Sequence, residues 1–122
     1  MEKRRFQRYE HQLEVEYSPC NNGLVYSSTR TKNISRGGIC IPCLSRLVRT
    51  GEPIKVDIYP SHESREYVSA IGEVVWTKET NGNSSHAGAD AEAGIMFTKV
   101  DPALLERVLE NIPGYTPDIS AE

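Results

Sequence analysis

Two short segments carry side chains suited to an anionic, planar ligand. Residues 3–8 read Lys3-Arg4-Arg5-Phe6-Gln7-Arg8. A guanidinium presents a rigid fork of donors that matches phosphate oxygens or the O6/N7 edge of guanine, and its flat face stacks on a base. Several on one arm can wrap a nucleotide. Residues 33–38 read Asn33-Ile34-Ser35-Arg36-Gly37-Gly38. Asn33 and Ser35 offer short donors and acceptors at alternate positions. Gly37 and Gly38 permit close backbone approach or positive φ, and bare N–H groups there can meet an anion. Taken singly, each segment has an ordinary alternative: a solubilising basic terminus for the first, a plain Asn/Ser/Gly turn for the second.

Other chemistry-bearing residues do not assemble into a pattern. Cys40 and Cys43 form a lone CxxC, with Cys20 remote. A structural zinc site wants four ligands at suitable spacing, and His11, His62 and His86 all lie far from the pair. Free thiols in a reducing compartment are the expectation, with no metal. Glu14 and Glu16 share a polar strand face, and nothing pairs carboxylates, or a nucleophile with a base, for catalysis. No enzyme is expected.

The elements that must position the two segments follow from periodicity. Residues 12–17 alternate, with Leu13, Val15 and Tyr17 on one face and Gln12, Glu14 and Glu16 on the other, as in a half-buried strand. Residues 19–23 read as a turn and 24–32, rich in Val, Tyr and Thr, as a second strand. Residues 33–38 are a loop, and Ile39 and Ile41 mark a short third strand. Strands are expected again over 53–59, 66–78 and 94–98. Gly72 inside the long one predicts a bend or bulge. Trp76 alternates with Val74 and is read as core. Residues 79–92 look like a long hairpin loop, poor in bulky apolar side chains. Asp101-Pro102 then gives a helix start, with Asp101 as N-cap and Pro102 at the first helical position. Leu104, Leu105, Val108, Leu109 and Ile112 make an apolar stripe to pack on the sheet. No crossover helix lies between strands, which excludes a parallel α/β fold. The class expected is mostly all-β: a six-stranded antiparallel β-barrel with a C-terminal α-helix, closure removing the exposed edges.

Size and charge bound the rest. The 122 residues suit a single domain. Fourteen Lys and Arg against seventeen Asp and Glu give a net charge of −3, which weighs against a dedicated nucleic-acid binder. The charge is uneven: Lys3, Arg4, Arg5 and Arg8 face only Glu2 within residues 1–8, and the remainder is acidic. A small anionic partner at the N-terminus therefore needs no attraction between polyanions and the whole protein. No run of apolar residues is long enough for a membrane-spanning helix, and the basic N-terminus lacks the apolar region of a signal peptide. The chain reads as cytoplasmic, without membrane insertion.

Together the two segments resemble the signature of the PilZ domain family, the bacterial receptor module for the second messenger cyclic di-GMP. That signature is an RxxxR box followed along the chain by a [D/N]xSxxG box. Arg4 and Arg8 occupy the paired positions of the first, and Asn33, Ser35 and Gly38 are in register with the second. The similarity continues through Ile39 and Ile41, Gly51, the Gly72-x-Val74-x-Trp76 segment and the Gly94-Ile95-x-Phe97 segment. It departs in the long 79–92 loop. The resemblance implies a flexible arginine-rich arm over 1–11, a PilZ β-barrel plus helix over 12–112, and a loose tail over 113–122. It implies that Arg4, Arg8 and, as a helper, Arg5 engage the phosphates and guanines of cyclic di-GMP. Asn33 and Ser35 would hydrogen-bond guanine, Gly38 would keep the surface clear for the base, and Gly37 belongs to the same binding set. The arm would close over the ligand, and the output would be a changed surface offered to a downstream protein rather than a product. Monomer and dimer both fit. The competing reading is a PilZ-fold interaction module that binds no nucleotide.

Overall fold

The computed structural model describes residues 6–61, 63, 65–80 and 88–116. Arg4, Arg5, His62, His86, the middle of the 79–92 loop and the end of the 113–122 tail lie outside the described residues.

The described residues form seven strands and one helix: β1 (Glu14–Pro19), β2 (Ser27–Arg30), β3 (Asn33–Ile34), β4 (Gly38–Cys43), β5 (Pro53–Ile58), β6 (Val68–Glu79), β7 (Ala91–Val100) and α1 (Pro102–Glu110). All pairings are antiparallel, in the order β2-β1-β5-β6-β7-β4-β3. The alternation read from sequence is the one that packs. Val15 and Tyr17 of β1, Ile54, Val56 and Ile58 of β5, and Val68, Ala70 and Val74 of β6 all point into one core. Each fully buried aliphatic side chain there contributes about 1.5–3 kcal/mol.

The expected closed barrel of six strands is corrected: the sheet is an open half-barrel of seven strands, with β2 and β3 at its two ends. The extra strand comes from the loop expected at 33–38, which is a tight hairpin. Asn33 pairs with Cys40 and Ile34 with Ile39, and the Ser35 N–H donates to the Gly38 carbonyl at 2.9 Å. The second strand is shorter than expected because the turn before it runs on, leaving Leu24 93% and Tyr26 64% exposed. Only Thr31 and Lys32 separate β2 from β3, so the chain itself steps across the gap. The Thr31 N–H donates to the Leu13 carbonyl at 2.9 Å on one side, and the Lys32 N–H to the Cys40 carbonyl at 2.7 Å on the other. Two residues can make one bond each way but cannot build a ladder. Buried Thr31 adds side-chain stitches, its Oγ1 donating to the His11 carbonyl at 2.6 Å and accepting from the Leu13 N–H at 2.9 Å.

The arm joins the sheet at one point. Tyr9 and Ile34 exchange both backbone bonds, at 2.9 and 3.0 Å, extending the sheet beyond β3 by a single bridge. At the other end of the chain, Asp101 caps α1 as expected. Its carboxylate accepts from the Ala103 N–H at 2.9 Å and the Leu104 N–H at 3.3 Å, with Pro102 in the first turn. Leu105, Val108, Leu109 and Ile112 enter the core, whereas Leu104 is left half in solvent at one edge of the stripe.

Candidate functional site

The β3–β4 hairpin holds the second motif in fixed geometry. The Ser35 Oγ accepts from the Gly37 N–H at 3.1 Å, so the side chain closes the turn it belongs to. A hydroxyl keeps its donor and a second lone pair beyond such a bond. Gly37 and Gly38 do not adopt positive φ. Of the two reasons offered for glycine, close approach is the one that operates. A Cβ on Gly38 would stand 2.1 Å from the Ile95 carbonyl oxygen of β7, and one on Gly37 would stand 3.0 Å from the Phe6 ring. Phe6, between the positions of the arginine box, therefore rests on the turn of the other box.

A cavity of about 280 Å³ opens beside this hairpin. Phe6 and Arg8 line it from the arm, Asn33, Ser35, Gly37 and Gly38 from the hairpin, and Trp76 and Met96 from β6 and β7. Five of the residues singled out by sequence are thus brought to one place: Arg8, Asn33, Ser35, Gly37 and Gly38. Arg4 and Arg5 lie outside the described residues. A larger open groove, about 630 Å³, runs between the 19–25 turn and residues 46–52, but carries none of either motif.

Trp76 is the residue that sequence reasoning misplaced. The β6–β7 register slips between Val74, opposite Ile95, and Trp76, opposite Gly94, so Val75 is an extra residue. The bulge ends the alternation. Val74 stays buried while Trp76 turns out, 39% exposed, on the cavity wall. The indole lies flat across β7 because position 94 has no side chain: a Cβ there would stand 2.1 Å from its Nε1. The pairing of a Trp with a facing glycine was the available signal, though only the register makes them partners. A second slip, between Ile71 and Gly72, is the bulge that Gly72 predicted.

The thiols beside the cavity are quiet. Burial, and then the carboxylate of Glu92, push the Cys40 thiol up, while Lys32 and Arg8 pull it back. Burial and nearby Asp90 push Cys43 up to about 12. Both thiols are therefore neutral at physiological pH. Lys32, at the seam, bonds Glu92 at 3.0 Å, which raises its pKa and holds it charged. Among the described residues no three His, Cys, Asp or Glu side chains gather to hold a metal ion, and no helix is long and apolar enough to cross a membrane.

Comparisons with known proteins agree with this geometry. No curated protein matches the chain significantly. Among solved structures, it is similar to the Bacillus subtilis inhibitor of motility MotI/DgrA, with a TM-score of 0.64 and 19% identity over 90% of this chain. The chain spans about half of that protein, 51% of its length. It is similar to the PilZ domain with c-di-GMP of YcgR from Escherichia coli, with a TM-score of 0.63 and 11% identity over 91% of this chain and 89% of the other. It is also similar to the PilZ domain of CeSA from a cellulose-synthesizing bacterium, with a TM-score of 0.56 and 12% identity over 88% of this chain and 96% of the other. At these identities the likeness concerns the fold. The family model of the PilZ domain matches residues 2–113, from the arginine box through the end of the helix, and the chain belongs to the PilZ domain family.

Proposed function

We propose that the chain is a non-catalytic cytoplasmic receptor that binds cyclic di-GMP in the cavity between the arm and the β3–β4 hairpin. The observation that carries this reading is the convergence of Arg8, Asn33, Ser35, Gly37 and Gly38 on one cavity wall, beside an exposed indole. Arg8 supplies a charged fork for a phosphate or a guanine edge. Asn33 and Ser35 supply hydrogen bonds to a base, and the Gly37–Gly38 backbone leaves room for it. Trp76 offers a face on which a guanine stacks. Arg4 and Arg5, which precede these residues in the chain, would add positive charge toward the phosphates. The backbone pair of Tyr9 with Ile34 fixes the root of the arm beside the cavity.

The fold itself supports the reading, since a similar structure was solved as a PilZ domain with c-di-GMP. No chemical step is involved; ligand binding shifts the population of arm positions and changes the surface that a downstream protein meets. The exposed Val75, Trp76 and Met96 around the cavity are the apolar part of that surface.

Calorimetric titration with cyclic di-GMP, and with GMP, GTP and cyclic di-AMP in parallel, tests the proposal. Micromolar or tighter binding of cyclic di-GMP alone is expected. Equal binding of the adenine compound removes the guanine assignment. No binding of any nucleotide leaves the apolar rim as a protein contact and favours the interaction-module reading.

A further inference from the structure

Arg36 stands inside the second motif yet is not part of the cavity wall. Its guanidinium reaches sideways to the C-terminal helix, 2.7 Å from the Glu106 carboxylate and 2.8 Å from the Tyr115 hydroxyl. The same hydroxyl donates to Glu106. A phenol has one donor and two lone pairs, so accepting from Arg36 while donating to Glu106 is a consistent assignment. Burial, and then the Glu106 bond, raise the Tyr115 pKa, so the phenol keeps its proton.

Tyr115 also touches the other half of the site. Its ring packs against Tyr9 at 5.4 Å between centroids, tilted by 55°. The Tyr9 hydroxyl donates to the Thr116 carbonyl at 3.2 Å. Local sequence brings Tyr115 there. Pro113-Gly114 makes a reverse turn after the helix, closed by the Tyr115 N–H on the Ile112 carbonyl at 3.1 Å. Gly114 at φ +84° is what such a turn needs, with proline before it. One side chain thus grips the tip of the 35–38 turn and the root of the arm, parts of the site far apart in sequence.

We propose that Glu106 and Tyr115 are positioning residues of the ligand site: they hold the 35–38 turn and the arm root in register, and so couple occupancy of the site to the C-terminal segment. The ligand half of this rests on the cyclic di-GMP reading above; the positioning half does not. The physical argument is reciprocal. If Tyr115 must hold both halves for the site to be binding-competent, removing its contacts lowers the competent fraction and weakens binding in proportion. By linkage, ligand that fixes both halves must in turn fix Tyr115 and Thr116.

The test uses three variants of the full chain. Tyr115→Phe keeps the ring and loses the hydroxyl, Tyr115→Ala loses both, and Arg36→Ala removes the partner. Amide exchange without ligand comes first. Tyr115→Ala should speed exchange at Tyr9, Ile34 and Ser35 at least about tenfold, while Val56 and Val74 in the central strands stay as in the parent, since the opening is local. With cyclic di-GMP, Tyr115→Phe should bind at least about fivefold more weakly, the low end of measured couplings between sites. The Arg36→Ala/Tyr115→Phe double variant should lose less affinity than the sum of the two single losses, because both singles remove the shared Arg36–Tyr115 contact. Ligand should slow exchange at Tyr115 and Thr116 in the parent.

Unchanged exchange at Tyr9, Ile34 and Ser35 in Tyr115→Ala overturns the positioning role. Undiminished affinity in Tyr115→Phe, or additive losses in the double variant, overturns the coupling to the ligand. If the parent binds no cyclic di-GMP while the exchange pattern holds, the ligand half falls with the functional reading, and the structural link from turn to helix end stands.

Discussion

Replacing Gly94 by Ala asks whether the Trp76 indole is part of the ligand surface. The new Cβ would stand 2.1 Å from Nε1 and 2.5 Å from Cε2, whereas ordinary contact begins at 3.4 Å. The indole must retreat by more than an ångström. It is 39% exposed and free to swing outward, so the fold loses little. The low end of overpacking, about 1 kcal/mol, applies rather than the high end, which lowers the melting temperature by roughly 4 °C in a domain of this size. Binding should suffer more. Base–aromatic stacking contributes about 1–3 kcal/mol, or roughly 5- to 150-fold in affinity, and a displaced indole forfeits part of that. Trp76 is the single tryptophan of the chain, so its emission reports on this position alone. Gly94→Ala should shift the emission to the red without ligand, diminish its response to cyclic di-GMP and weaken binding about tenfold. Trp76→Ala should weaken binding at least as much, and adding Gly94→Ala to it should cost no further affinity, because the first change removes the group the second displaces. Parent-like emission in Gly94→Ala would refute the flat seating of the indole. A red shift with parent-like affinity would refute its role in binding.

Arg8→Ala should cost about 1–3 kcal/mol of cyclic di-GMP binding by calorimetry, the scale of a bidentate contact, with the melting temperature unchanged because the side chain is exposed. Asp101→Ala removes both bonds to the first turn of α1; a loss of about 1 kcal/mol in urea unfolding is expected. A thiol reagent at pH 8 should label exposed Cys20 quickly in the native protein, and buried Cys40 and Cys43 only after denaturation. Stability should also fall at alkaline pH. The Cys43 thiol ionises near 9.0 when unfolded and at about 12 when folded, so its contribution is whole below pH 9 and is lost as the pH climbs toward 12. Unfolding midpoints at pH 8 and pH 10.5 check the sign.

Much of the scaffold is legible in local sequence. The alternation of Leu13, Val15 and Tyr17, and of Ile54, Val56 and Ile58, fixes which faces are buried, because a strand has no other way to bury them. Asp101-Pro102 fixes where the helix begins, since the cap satisfies N–H groups that the helix leaves unpaired. The two motifs name Arg8, Asn33, Ser35, Gly37 and Gly38 by residue type and spacing, and these five converge.

The remainder depends on partners distant in the chain. Whether the sheet closes is decided by the two-residue step at Thr31-Lys32, which bonds once to each edge, and nothing in a Thr-Lys pair announces it. The outward turn of Trp76 comes from a register slip that exists only between paired strands; read alone, β6 alternates through Trp76 and predicts core. Gly94 makes sense only once Trp76 lies across it. Arg36 reads as a loop cation until Glu106 and Tyr115 meet it from the far end of the chain. Sequence by itself determined which residues are apolar at which period, where the helix starts, and which side chains carry the donors and acceptors of the two motifs. Tertiary structure alone decided the openness of the sheet, the exposure of the indole and the link from site to C-terminal helix, because each is a relation between segments that meet only when the chain is folded.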